Sequence, residues 1–261
     1  ITMLADETMT ETAKVPEGLS VTVDLAGKTV TGSILAPNAT LTLQNGSIVN
    51  NDKGVSAVEI NAGELNLIDV NIDSARHALR IDGAVTATIN GVAAKSVYWN
   101  GVLGWLGSNA KLLDSVNQGN VTVTAHGNSQ MLTACGLVSY AGGEVSGCYN
   151  GGNISYYAES AEGLADGGVQ RTGVAGIAAY IGWSGKEVQN NINDGNITFR
   201  AGYSSGYAGS GSFTKYAVNV AGVFAAVYNC GLTGCKNSGE INFTMTDIDN
   251  ASSYDNTAVR Q

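Results

Sequence analysis

Five ionisable residues fall within one short window: Asp73, Arg76, His77, Arg80 and Asp82. Carboxylates beside a histidine and two arginines are the raw material of acid–base catalysis or of a cation site. Glycoside hydrolysis needs two carboxylates at a set separation, and lyase chemistry needs a cation with a basic residue beside it. No Asp-Asp pair, no Gly-His-Gly and no Arg-x-Lys run accompanies the window, and both His77 and His126 stand alone. The calcium nonapeptide of β-rolls is also missing around Asp69, Asp73 and Asp82. The window therefore reads as a solvated turn tied by salt bridges. No catalytic residue, no metal ligand and no cofactor is expected.

The aromatic residues offer a different chemistry, stacking on sugar rings or packing against a protein partner. Trp105, Tyr140 and Tyr180 occupy one repeat position, which Ala226 fills in the next copy. Tyr156, Tyr157, Tyr203, Tyr207 and Tyr216 lie in irregular excursions, read over residues 125–134, 156–174 and 200–220. These eight rings are the candidate ligand-binding residues. The alternative for the repeat-position rings is a stacked filler or corner cover.

Repeats must position these rings. Asn-x-Gly-(Asn/Glu)-(Val/Ile) occurs four times, built on Asn117 and Gly119, Asn150 and Gly152, Asn193 and Gly195, and Asn237 and Gly239. An apolar block precedes each copy, opening at Gly101, Gly136, Gly176 and Gly222. The motif glycines are 33, 43 and 44 residues apart. We read each unit as a double coil with a variable excursion, and the Asn and Gly as structural turns. Upstream, alternating runs at Val21–Leu25, Ala39–Leu43, Leu65–Ile68 and Val85–Ile89 each end at a turn residue. Taking Ala26, Asn45, Asp69 and Asn90 as equivalent gives offsets of 19, 24 and 21 residues. A second register agrees: Ala57–Ile60 recurs as Ala78–Ile81, which stacks Glu59 on Arg80 as an outward salt bridge. Such regularity predicts an all-β chain, a single-stranded right-handed parallel β-helix (solenoid) with ~20-residue coils and protruding loops. Asn and Asp at the corners tolerate the left-handed conformation and can hydrogen-bond along the stack. Residues 1–18 read as a lead-in or cap, 19–94 as simple coils and 95–261 as double-coil repeats of one continuous solenoid.

Composition narrows the function classes. Net charge is −9 and only 13% of residues are charged. With no basic patch, the chain would repel a phosphate backbone, so no nucleic-acid partner is expected. No apolar run is long enough for a membrane-spanning helix, and the first residues lack a signal-peptide pattern. The end of the chain looks like the approach to a fifth apolar block, so we expect a piece of a longer, surface-anchored chain. Of the four cysteines, Cys148 and Cys235 share a repeat position. Two coils per repeat would hold these two roughly 19 Å apart at ~4.8 Å per coil, beyond disulfide reach. All four read as small core hydrophobes, with a Cys230–Cys235 bridge across a small turn as the alternative.

Residues 95–245 resemble GLUG-type repeats, best in Gly136-Leu137-Val138-Ser139-Tyr140 followed by Gly147-Cys148-Tyr149-Asn150-Gly151-Gly152-Asn153-Ile154. The fourth unit keeps Cys235, whereas the first and third have Ser115 and Asn191 in its place. Residues 19–94 are similar to the pectate-lyase-like β-helices of bacterial surface proteins. The resemblance implies a secreted or cell-surface, adhesin-like module that binds host glycans or surface proteins, and it supplies no catalytic residues. A polysaccharide lyase or glycosidase on the same scaffold, and a purely structural spacer, are the other expectations.

Overall fold

The computed structural model describes residues 1–96, 102–125, 133–158, 172–182, 185–203 and 218–247. Among these the protein is all-β, without a helix, and its sheets are mostly parallel. Strands pair with their equivalents one repeat later, not with their sequence neighbours. Leu41 lies opposite Leu65, Leu65 opposite Ala87, Ala87 opposite Leu112, and Leu112 opposite Val145. All five are fully buried. Their polar neighbours Thr40, Glu64 and Thr86 fall on the outer face, as strand alternation requires. Each fully buried leucine contributes about 1.5–3 kcal/mol relative to an exposed one.

The predicted corners are present, shifted at one step. Ala26, Asn45 and Asp69 have φ of 51°, 60° and 51°, in the left-handed region. Asn90 does not belong with them: it lies opposite Ile68, and Gly91 (φ 64°) takes the corner instead. The reason is steric. A Cβ on Gly91 would sit 2.0 Å from Asp69 Oδ1. Asn45 and Asp69 follow each other directly at this corner, but from Asp69 onward each acidic or amide oxygen over the corner is followed by a glycine. The same alternation follows at Asp114 and Gly147, then at Asn190 and Gly234.

Residues 1–18, expected as a lead-in or cap, are built into the stack: Glu7–Thr8 and Ala13–Lys14 pair in parallel with Thr29–Thr31 and Ile34–Ala36. Strands of two residues are too short to show alternation in sequence. The double coil fails. Asn117, Asn150, Asn193 and Asn237 are direct ladder partners, so each long repeat advances the stack by one step, not two. The extra residues build a second compartment beside the main core. One wall contains Val121–Ala125, Ile154–Ala158, Ile197–Tyr203 and Ile241–Asp247; the other contains Thr133–Cys135, Thr172–Ala175 and Val218–Ala221. Between them are buried Val123, Ala134, Ile154, Tyr156, Val174, Ile197 and Phe199.

The motif asparagines run through the interior. Asn117 Nδ2 donates to Asn150 Oδ1 at 2.6 Å, Asn150 Nδ2 to Asn193 Oδ1 at 2.6 Å, and Asn193 Nδ2 to Asn237 Oδ1 at 2.7 Å. Each also donates to the carbonyl of its own motif glycine at 2.8 Å. A second amide column runs outside: Asn120, Asn153 and Asn196 each accept from the next backbone N–H, the last from Glu240. Glu240 contributes only its backbone N–H to this column, which is why a non-amide is tolerated there.

Candidate functional site

One outward column holds the repeat-position rings. By register it runs Glu59, Arg80, Trp105, Tyr140, Tyr180, Ala226. Inward-facing Leu106, Ala141 and Ile181 follow the rings, and their burial fixes which way the rings face. Trp105 and Tyr140 stack with centroids 4.5 Å apart and planes 6° off parallel. Trp105 is partly buried and Tyr140 is 37% exposed. The rings therefore cover each other's faces and present their edges outward. Trp105 and Tyr140 thus form a stacked pair that lies partly at the surface.

A second column, not among the expected site residues, stands beside the rings. Two residues after each ring stands a glycine: Gly107, Gly142 and Gly182. Their N–H groups bond Ile81, Leu106 and Ala141 carbonyls, each at 2.8 Å. Among the described residues nothing demands glycine at the last two: a Cβ on Gly142 would meet no atom closer than 3.4 Å, and one on Gly182 none closer than 3.5 Å. Neither has a left-handed φ. At these three positions no side chain stands beside the ring column. The signal was legible as aromatic-x-Gly in Trp105-Leu106-Gly107, Tyr140-Ala141-Gly142 and Tyr180-Ile181-Gly182.

The excursion tyrosines divide. Tyr156 and Tyr157 lie in the strand Ile154–Ala158, not in a loop. Alternation sends Tyr156 inward, where it is fully buried and stacks on Phe199 at 5.6 Å, with Phe243 beyond at 5.0 Å. Tyr156 is a core residue and leaves the set of ligand-binding candidates. Burial holds its phenol well above the usual range, partly offset by a hydrogen bond with Thr172. Tyr157 points outward between Thr124 and Arg200. Tyr203 closes the strand Ile197–Tyr203, while Tyr207 and Tyr216 lie outside the described residues, as does His126.

The ionisable window is a set of tethers. Arg80 Nε lies 2.8 Å from Asp82 Oδ2 on its own strand, so the ion pair runs along the strand, although Glu59 is its register partner as expected. Arg76 donates to the Gly54 carbonyl. His77 is only 8% exposed. Burial first, then the charges of Arg76 and Arg80, pulls its imidazole from 6.5 down to about 4, against the opposing effect of Asp82. The fold thus favours neutral His77. Above pH 6.5 folded and unfolded chains are both neutral here, and stability is intact. Between 6.5 and 4 the unfolded chain takes the proton first, so stability falls with pH by on the order of 3 kcal/mol. Urea denaturation from pH 7.5 to 4 should show that limb, and His77→Gln should flatten it. Among the described residues no group of three or more His, Cys, Asp or Glu could hold a metal.

All four cysteines are free. Cys230 opens the strand Cys230–Thr233 and Cys235 follows the corner Gly234, so an extended strand separates them by on the order of 10 Å or more. The Cys230–Cys235 bridge is therefore ruled out by geometry. Cys148 and Cys235 share the column Ser115, Cys148, Asn191, Cys235. They are two steps apart at ~4.8 Å each, with Asn191 between them, and not the four steps that double coils implied. Burial pushes the Cys135 and Cys148 thiols up to about 12. A native-state thiol titration should count two reactive groups, Cys230 and Cys235, and denaturation should raise the count to four.

No family model, curated protein or solved structure matches this chain.

Proposed function

We propose that this chain is a section of a right-handed parallel β-helix that displays a glycan-binding strip on a bacterial cell surface, without catalysing a reaction. The partly exposed Trp105–Tyr140 stack beside the glycine column carries the reading. Parallel pairing of each repeat with the next, left-handed corners and inward columns support the helical closure. Its hand follows the general preference of parallel crossovers. Apolar ring edges beside glycines suit a sugar polymer, whose C–H faces are apolar and whose hydroxyls can bond polar side chains. The repetition of equivalent contacts along the column lets weak single contacts add up. A net charge of −9 opposes phosphate-rich ligands. Low charge density and saturated amide columns suit a rigid module in a longer extracellular chain. No helix among the described residues is long and apolar enough to cross a membrane.

A broad glycan and host-glycoprotein array tests this. The wild-type fragment should retain specific glycan spots, and the double variant Trp105→Ala, Tyr140→Ala should lose at least tenfold in apparent affinity while keeping its thermal transition. A blank array from folded protein would overturn the glycan reading in favour of a structural spacer.

A further inference from the structure

The second compartment has an outer face, on the sheet of Val121–Ala125, Ile154–Ala158, Ile197–Tyr203 and Ile241–Asp247. Burial of Val123, Tyr156 and Phe199 turns the alternate residues of these strands outward. Register sets Thr124, Tyr157, Arg200 and Thr244 in one outward column, and pairs Ser155 with Thr198 in the column beside it. Arg200, Thr124 and Thr244 are exposed, while Tyr157, Ser155 and Thr198 are half-buried. Among the described residues none of these six makes a side-chain hydrogen bond or a salt bridge. Other polar side chains at the surface are tied down: Tyr149 and Ser238 to Asp194, Thr233 to Glu187, and Lys111 to Glu144. On this face a guanidinium, a phenol and two hydroxyl groups stand together with their bonding capacity unspent. No acidic residue shares either column over these four strands.

We infer that Ser155, Tyr157, Thr198 and Arg200 form a binding site for a carboxylate-bearing pyranose, a uronic-acid residue of a glycan. The site lies apart from the ring column and stands without it. Its four positions make a rectangle of ~4.8 Å across the strands by about 6.6 Å along them, the scale of one sugar ring. An unpaired guanidinium offers a planar fork of donors that a carboxylate meets with both oxygens. One cation balances one carboxylate, whereas a phosphate group brings about −1.5 to −2 charges to a chain already at −9. That net charge is largely screened beyond about 8 Å at physiological ionic strength, so Arg200 decides the contact. The Ser155 and Thr198 hydroxyls donate to and accept from ring hydroxyls. Thr198 is β-branched and stiff, so its hydroxyl is held ready. Tyr157 adds an apolar ring edge with a polar tip.

The test titrates the protein with methyl β-glucuronide, methyl β-glucopyranoside and acetate, read by saturation-transfer NMR. The two glycosides differ only in a carboxylate against a hydroxymethyl group, and acetate carries the charge without the ring. The wild type should bind the glucuronide at least tenfold more tightly than either, the worth of a hydrogen bond to a charged group. Arg200→Gln should abolish that preference, and Arg200→Lys, a point charge without the fork, should restore it only in part. Thr198→Val should weaken both glycosides severalfold and leave their ratio unchanged. All three changes lie on the outer face, and the thermal transition should stay in place. No binding by the wild type, equal binding of the two glycosides, or a preference that survives Arg200→Gln overturns the site. Acetate matching the glucuronide overturns the sugar class and leaves an anion contact. Trp105→Ala with Tyr140→Ala should not change glucuronide binding, and its loss there would place the sugar on the ring column instead. If the array is blank while the glucuronide binds through Arg200, the column reading falls and this site remains. If the array retains glycans through Trp105 and Tyr140 while Arg200→Gln matches wild type in every titration, the column stands and this site falls.

Discussion

Asn193→Asp is expected to destabilise the protein by about 3–5 kcal/mol at pH 7, the cost of leaving a buried charge without compensation. Asn193 is fully buried and uses its whole carboxamide. Its Oδ1 accepts from Asn150 at 2.6 Å, while its Nδ2 donates to the Gly195 carbonyl at 2.8 Å and to Asn237 Oδ1 at 2.7 Å. Aspartate keeps the acceptor and turns both donors into a negative oxygen facing two other oxygens. Asn193→Ala removes the same bonds without adding charge, and leaves an Asn150 N–H and two acceptors unsatisfied. It should cost less, about 2–3 kcal/mol. The two variants also differ in pH response. The buried aspartate has its pKa raised, so protonation favours its folded state, and stability should recover as the pH falls towards 4. Wild type should move the other way over 6.5 to 4 through His77. Urea denaturation of the three proteins at pH 7 and pH 4.5 decides it. An aspartate variant within 1 kcal/mol of wild type would mean that the asparagine column does not hold the repeats together.

How much of this could be read in advance depended on whether the cause lay inside one repeat or between two. Alternation at Ala39–Leu43 and the match of Ala57–Ile60 to Ala78–Ile81 are local, and both registers stand in the structure. The repeat of Asn-x-Gly was equally plain, but its reading as a structural turn does not say that the asparagine lies inside. The glycine is at a close approach, since a Cβ on Gly195 would lie 1.9 Å from the Gly152 carbonyl. The asparagine is interior, because a fully paired amide column can replace apolar filling. Spacing alone could not separate one wide step from two narrow ones: a 43-residue repeat supports either until the pairing partner is known. Tyr156 was misplaced for a related reason. Its strand faces a second core that no periodicity within residues 156–174 discloses. At the candidate site the ring column was legible from Trp105, Tyr140 and Tyr180, whereas its glycine flank was passed over because a glycine-rich chain hides three meaningful glycines among 35.

Gly136, Gly176 and Gly222, which open three of the apolar blocks, are tied to Asn150, Asn193 and Asn237, and this coupling should be measurable at Gly222 and Asn237. Gly222 lies 15 residues before Asn237, yet a Cβ there would sit 2.2 Å from Asn237 Cγ and 2.5 Å from Asn237 Cβ. Because the nearby atoms include Cβ, the asparagine cannot swing clear by rotating its far end. Gly222 has no left-handed φ, so a methyl group there meets crowding alone. Gly222→Ala should cost about 2–3 kcal/mol as an overpacking change. Asn237→Ala should cost about 1 kcal/mol, because Asn237 belongs to the last described step and is already exposed. In the double variant the new methyl group enters the space left by the carboxamide. The two costs should then fall short of additivity by about 1–2 kcal/mol in a double-mutant cycle. Gly222→Ala with Thr244→Ala, on the outer face of the far sheet, should add without coupling. Additivity at Gly222 and Asn237 would show that the backbone moves apart to accept the methyl group, and that the glycine serves some purpose other than seating the asparagine. Strong coupling would explain why a glycine and an asparagine so far apart in each repeat recur together: they are two halves of one packing contact.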